Sequence, residues 1–464
     1  MKKNSTYKSF FAIAFLSAIC LTANGQELPK VFGRPVHSVN PDNGTIRCVS
    51  TEYEEYQQET NPKKETRAQF EDWMANKIKE RQANRSSNSV LEVITIPVVV
   101  HVIHNGDALG SNENIRDAQV LSQIEVLNQD YRRMLNTPGY NDNEVGADIE
   151  INFCMAQVDT NGNPTNGIDR VNMGIASFTI DDFDDSVKTS TYWDPEQYFN
   201  IWTCNFGGDS SDILGYAQFP SSSRLGGLSS NGGDASTDGV VIGYKYFGSK
   251  DIYSAGNYGS SGNQYRYGRT ATHEVGHALG LRHIWGDNNS CTVNATDSEK
   301  DYCPDTPAQN EEHYDCETYY DSCLFAAGED MTANYMDYSN DTCMNIFTQD
   351  QKERIRTVMQ NSPRRASLIT STVCQAPVGG TDKFKLHGLN VHPNPTQGYL
   401  TISVDNGDMP DSYTIYNSVG QTVSIAKVNT QANLTINTGG YANGIYFIKI
   451  DKAGESKTLK FIKN

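Results

Sequence analysis

After the apolar stretch at residues 10–23 no second long apolar run occurs, and that stretch is itself too short to cross a bilayer. A transmembrane segment is therefore not expected. Positive charge is scarce: 38 Lys and Arg stand against 56 Asp and Glu, a formal net charge of −18. This balance disfavours nucleic acid and anionic membranes as partners and leaves room for calcium or basic substrates. No internal repeat is evident in the 464 residues, which suffice for two or three domains, each with its own core. Cysteine is sparse too, ten in all. Cys20 lies within the apolar stretch, without the small residue before it that a lipoprotein site wants. That leaves an odd number. An exported protein oxidises its cysteines in pairs, so one is expected to have another job.

What the chain does contain is concentrated in Thr272-His-Glu-Val-Gly-His-Ala-Leu-Gly-Leu-Arg-His283, an H-E-x-x-H-x-x-G-x-x-H pattern. Two histidines four apart, His273 and His277, share one face of a helix and can grip a single ion. Ala271, Val275, Ala278 and Leu279 form an apolar stripe opposite them, which would bury the helix. Gly280 can take the left-handed conformation that ends a helix, and the turn brings His283 back as a third ligand. A fourth tetrahedral position stays open for water, and Glu274 is the natural acceptor of its proton. A bare H-E-x-x-H arises by chance in roughly one chain of this length in a hundred. The glycine and third histidine at fixed offsets lower that by orders of magnitude. The chemistry implied is zinc-dependent hydrolysis of peptide bonds. The rival is a catalytically silent surface adhesin or binding protein with a structural metal, against which the intact Glu274 argues.

The rest of the chain falls into segments. Met1-Lys2-Lys3, the apolar stretch and Ala23-Asn24-Gly25 make a secretory signal peptide over residues 1–25. Residues 26–89 are polar and charged, with one amphipathic helix marked by Phe70, Trp73, Met74 and Ile78, and end at Arg85–Ser89. They are expected to be a prosegment. The catalytic domain is expected over 90–376. Strands are predicted at Ile94–Ile103, Ile149–Met155, Tyr198–Cys204 and Asp238–Gly243, and helices at Asp117–Arg133 and from Thr348. This alternation favours a mixed sheet with helices packed on it. His101 and His104, in the first strand region, are given packing or hydrogen-bonding roles. A linker at 377–382 leads to short alternating strands around Leu400, Tyr413, Leu434 and Ile445, a small all-β sandwich over 383–464.

Downstream of the zinc motif, Asp330-Met-Thr-Ala-Asn-Tyr-Met-Asp-Tyr338 with Asp341, Cys343, Phe347-Thr348 and Gln351 makes a second constellation. Together with the zinc motif, Ile94–Asn105, Leu214–Pro220 and Asp305-Thr-Pro307, it resembles the pappalysin family of metzincin metallopeptidases from about Ile94 to Met359. The resemblance implies an α/β (α+β) metzincin-like fold with a mixed sheet and an active-site helix. It implies that Met336 forms a tight turn beneath the metal ligands and that Tyr338 stabilises the oxyanion. Asp341 resembles the floor of the family's S1′ pocket, and a carboxylate there implies cleavage on the N-terminal side of Arg or Lys. The carboxylates Asp287, Asp297, Glu299, Asp301 and Asp305 suit calcium; the resemblance favours Asp301 and Thr306, with Asp305 beside them. It also suggests the disulfides Cys291–Cys323 and Cys316–Cys343, which spacing cannot establish. Cys154, Cys204, Cys303 and Cys374 remain open.

Cys48, in Arg47-Cys48-Val49-Ser50, is then the odd cysteine. As a thiolate it could take zinc's fourth position and keep a zymogen silent, as in related prosegments that resemble a cysteine switch. Val391-His-Pro-Asn-Pro-Thr-Gln-Gly398, Gly444–Ile450 and the basic Lys457–Lys463 resemble the type IX secretion sorting domain. That implies type IX secretion machinery as a partner beside protein or peptide substrates, and a product released or attached to the outer surface.

Overall fold

The computed structural model describes residues 28–84, 92–222, 234–260, 264–292, 301–317, 319–375, 389–403, 409–430, 434–452 and 455–464. The signal peptide expected at 1–25, the Arg85–Ser89 junction and the 377–382 linker lie outside them. The chain divides into two compact units, one ending at Cys374 and the other beginning at Gln375.

The first unit is built on a mixed sheet. Its strands run in the order Ile151–Met155, Ile94–His104, Phe199–Cys204, Gly239–Gly243 and Gly215–Ala217, and Ile168–Asn172 also pairs with Ile94–His104. All pairs are parallel except that of Gly215–Ala217 with Gly239–Gly243. Parallel strands are covered on both faces, which is why Ile94–His104 is an almost unbroken apolar run. Successive side chains alternate between the faces. Val98, Val100, Val102, Ile201, Val240 and Ile242 share a core with Ile124 and Leu127 of the Asp117–Tyr131 helix and with Ala271 and Val275 of the Arg269–Ala278 helix. Ile103, Trp202, Cys204, Tyr216 and Val241 line a second core on the other face.

Residues 28–84 belong to the same compact unit. They form a short hairpin, Lys30–Val31 with Arg34–Pro35, and two helices, Ser50–Thr60 and Arg67–Asn84. Of these helices the sequence marks only the second. The first buries Ser50, Thr51, Glu52, Tyr53 and Glu54, and four of those five are polar. It has no apolar stripe to reveal it, because its buried face meets polar groups of the active site.

The second unit holds two antiparallel sheets. One orders Thr435–Asn437, Tyr399–Ser403 and Asn390–His392; the other orders Thr422–Lys427, Ser412–Asn417, Gly444–Lys452 and Glu455–Lys463. Leu400, Ile402 and Ile436 of the first share a core with Ile415, Ile448, Ile450 and Phe461 of the second. This is the small all-β sandwich expected from the alternating pattern.

Candidate active site

All ten residues of the Arg269–Ala278 helix are buried, and its carboxyl end carries a tight cap. Gly280 has φ +93°; its N–H donates to the His277 carbonyl at 2.9 Å and the Leu281 N–H to that of Gly276 at 3.0 Å. This 6→1 and 5→2 pair is the Schellman arrangement, and the reversal carries His283 back over the helix. The three Nε2 atoms converge: 3.1 Å between His273 and His277, 3.0 Å between His277 and His283, 3.3 Å between His283 and His273. The opposite ring nitrogens are already committed. Nδ1 of His273 donates to the Tyr335 carbonyl at 2.7 Å, that of His277 to the Leu281 carbonyl at 2.9 Å, and that of His283 faces the Asp287 carboxylate. With Nδ1 holding each proton, three lone pairs point at one place, which is tolerable only around a cation. Tetrahedral Zn–N bonds set ligand nitrogens roughly 3.3 Å apart, so the donor set fits zinc. Burial first, and then the neighbouring imidazoles, hold His273 and His277 well below the ordinary value, in the neutral form a metal requires.

Gly280 is also sterically necessary. A Cβ there would lie 2.7 Å from Val358 Cγ2, at a φ that other residues rarely adopt. Gly280→Ala is expected to cost about 2–4 kcal/mol from backbone strain and overpacking. Thermal unfolding and zinc content, measured together, check this; an unchanged midpoint with full zinc would refute it.

Met336 is buried against the helix at Gly276, which lies between His273 and His277 in the chain and makes room for it. A Cβ on Gly276 would meet Met336 Sδ at 2.6 Å. The turn itself is pinned by Asn334, whose Oδ1 accepts the Met336 N–H at 2.9 Å. His313 ties its two ends together, with Nε2 3.2 Å from Asp330 and Nδ1 3.0 Å from Asp337. Burial opposes its charge, but the two carboxylates win and raise it to about 10. Neither Gly276 nor His313 stands out in the sequence, since each acts only through residues distant in the chain.

Glu274 is fully buried, and burial raises its carboxyl to about 8. Residues 46–50 fill the space in front of it. Cys48 completes a four-residue group with the three histidines, with ligand atoms within 4.8 Å of one another. Its Sγ lies 3.4 Å from Glu274 Oε2, and burial, then Glu274, pushes the thiol up, so only a cation would favour the thiolate here. The Ser50 hydroxyl donates to Glu274 Oε2 at 2.7 Å and accepts the Ala217 N–H at 2.8 Å. Tyr338 donates its hydroxyl to the Cys48 carbonyl at 3.4 Å, and burial holds its phenol well above the usual range.

Asp341 is buried. Its Oδ2 accepts N–H groups from Tyr267 at 2.9 Å and Arg269 at 3.2 Å, and its Oδ1 stands 3.4 Å from Arg47 Nη1. The Arg47 guanidinium also donates to Thr270 Oγ1 at 2.6 Å and lies 4.5 Å over the Tyr265 ring. Ser50, Arg47, Thr270 and Tyr265 escape sequence reasoning because nothing in their spacing links residue 47 to residue 341.

The acidic loop is only partly brought together. Thr306 Oγ1 donates to Asp301 Oδ2 at 2.9 Å, whereas Asp305 turns toward the Gln349–Asn361 helix and accepts the Asp350 N–H at 2.9 Å. Asp287 faces His283, and Asp297 and Glu299 lie outside the described residues. The disulfides are Cys291–Cys323, Cys316–Cys343 and Cys154–Cys374. Among the described residues Cys204 and Cys303, like Cys48, stay free and buried, so the expectation of a single unpaired thiol fails. His101 is structural, between Asp169 at 2.9 Å and Asn200 at 3.0 Å.

Residues 181–360 match the family model described as pregnancy-associated plasma protein-A, and 390–464 match the secretion system C-terminal sorting domain. An extracellular metalloprotease of Colletotrichum graminicola is 32% identical over 277 residues, 60% of this chain and 81% of that protein. The chain belongs to the pappalysin family. An extracellular metalloprotease of Arthroderma benhamiae is likewise 32% identical, over 56% of this chain and 76% of its own length. Among solved structures, Tannerella forsythia mature mirolysin in complex with a cleaved peptide is 40% identical, with a TM-score of 0.50, covering 60% of this chain and 96% of its own. A promirolysin mutant from the same organism is 37% identical, with a TM-score of 0.54, covering 70% and 97%. The pappalysin assignment makes the protein a secreted or surface-attached zinc metalloendopeptidase rather than a silent adhesin. No helix among the described residues is long and apolar enough to cross a membrane.

Proposed function

We propose that the protein hydrolyses peptide bonds on the N-terminal side of Arg or Lys and is made latent by residues 26–89. His273, His277 and His283 would hold the zinc. When bound, it supplies Lewis acidity toward a carbonyl oxygen and toward water. Glu274 takes a proton from the attacking water and returns it to the leaving amine. The Tyr338 hydroxyl, freed from the Cys48 carbonyl, donates to the developing oxyanion.

The observation that carries the specificity is Arg47. A guanidinium already fills the Asp341 pocket, stacked on Tyr265 and donating to Thr270, so the pocket's size and charge suit a basic side chain. Residue 46 runs parallel to the sheet-edge segment at Ile213. Rates on peptides with Arg, Lys or Leu after the scissile bond test this. We expect Arg and Lys to exceed Leu by 100-fold or more, as roughly a lost charged hydrogen bond predicts. Asp341→Ala should erase the gap, and equal rates in the unaltered enzyme would refute the assignment.

Latency is proposed to rest on Cys48 as a fourth zinc ligand. Support comes from the two mirolysin comparisons: the proenzyme covers 70% of this chain and the mature form 60%, as expected if residues 28–84 correspond to a segment the mature form lacks. Calcium is proposed at Asp301 and Thr306, where hard oxygens cluster, while Asp305 is engaged elsewhere. The sandwich at 390–464 is proposed to engage type IX secretion machinery.

A further inference from the structure

We infer that hydrolysis between Asn84 and Glu92 does not release residues 28–84, and that the detached segment stays seated as a reversible protein inhibitor of its own catalytic domain. The inference rests on the latency reading above.

The segment is held by three sets of contacts, none of which passes through the cut. The first is apolar. Val31, Phe32, Val36, Ile46, Val49 and Tyr53 complete the core behind the sheet with Trp202, Tyr216 and Val241, and Phe70, Trp73 and Met74 pack on Val358. Without the segment these faces of the catalytic domain would stand in water.

The second set is charged. Glu71 accepts from Arg354 at 2.8 and 3.1 Å and from Arg282 Nε at 3.0 Å, and Glu54 pairs with the rest of the Arg282 guanidinium. Both carboxylates belong to the segment, both guanidiniums to the catalytic domain, and all four are buried. Departure would strip two adjacent cations of their partners just behind the zinc motif. Losing one member of such a pair acts chiefly on the rate of dissociation.

The third set lies at the site. The Leu214 N–H donates to the Ile46 carbonyl at 2.9 Å and the Val49 N–H to the Gly215 carbonyl at 3.3 Å, beside the contacts of Arg47, Cys48 and Ser50.

The two helices thus act as a bivalent ligand, Glu54 on one and Glu71 on the other, joined by a turn in which Asn61, Pro62 and Lys63 are exposed. Severing that turn would leave two pieces, each bound without the advantage of linkage. Its exposure leaves it open to such a cut.

The test places the recognition sequence of an unrelated endopeptidase at residues 86–90 of the full chain. In a Glu274→Ala background, which prevents self-digestion, the cut protein is run on a sizing column. In the active background, hydrolysis of an Arg-containing peptide is followed after cutting and again after dilution. We expect the fragments to co-elute, activity to stay within about threefold of the uncut chain, and a rise of tenfold or more on dilution. With Glu54→Gln and Glu71→Gln together, dissociation should quicken by roughly a hundredfold or more, so that cutting activates at once. Fragments of the unaltered chain that separate immediately, with full activity, overturn the inference and leave latency standing. An uncut chain as active as the separated catalytic piece overturns the latency reading and the inference with it.

Discussion

Glu274→Ala is expected to lower peptide hydrolysis by about 10³–10⁴-fold while leaving zinc content and folding intact. The carboxylate is fully buried and its hydrogen bonds come from Ser50 and Cys48 of the N-terminal segment, so no part of the catalytic framework leans on it. Removing a buried ionisable group that burial already disfavours in its charged form costs little stability. Metal analysis and thermal unfolding, run beside the peptide assay, separate loss of chemistry from loss of structure. Activity surviving in a zinc-loaded Glu274→Ala protein would sink the proposed proton acceptor.

Cys48→Ala should raise the activity of the unprocessed chain by on the order of a hundredfold, the population change that follows from deleting one strong buried anchor. The gain is expected to fall short of the mature enzyme. Arg47 would still occupy the Asp341 pocket, and Ser50 would still hold Glu274 and the Ala217 N–H. Arg47→Ala in the same chain should therefore add to the effect. Hydrolysis by chains kept intact, checked on a gel at each time point, measures both. Unchanged silence in Cys48→Ala would show that the thiol is incidental.

How much of this was legible in the sequence depended on whether a residue's partner lies close by in the chain. The Arg269–Ala278 helix, its glycine cap and the convergence of His273, His277 and His283 follow from 3.6-residue periodicity and one left-handed turn, all within residues 269–283. The Ile94–His104 strand was plain because a strand covered on both faces is apolar throughout. The Ser50–Thr60 helix was invisible for the opposite reason: four of its five buried residues are polar, Ser50 meeting Glu274 and Glu54 meeting Arg282, and only Tyr53 joins a hydrophobic core. Resemblance to a family suggested Met336 and Asp341, but the side chains that shape their surroundings were out of reach. Gly276 matters because of a sulfur sixty residues away, and His313 because it bridges Asp330 and Asp337. The third disulfide, Cys154–Cys374, joins residues 220 apart, a distance over which spacing carries no information.

That bond closes a covalent ring around the chemistry. The zinc histidines, Glu274, Met336, Tyr338 and Asp341 all lie between Cys154 and Cys374, while the N-terminal segment and the β-sandwich lie outside. A peptidase at high local concentration meets its own kind, and a single backbone break inside the ring leaves both pieces covalently joined through the disulfide. A break outside it has no such insurance. The same bond thereby sorts accidental breaks into those between residues 154 and 374, after which the pieces stay covalently joined, and those elsewhere, after which only packing holds them.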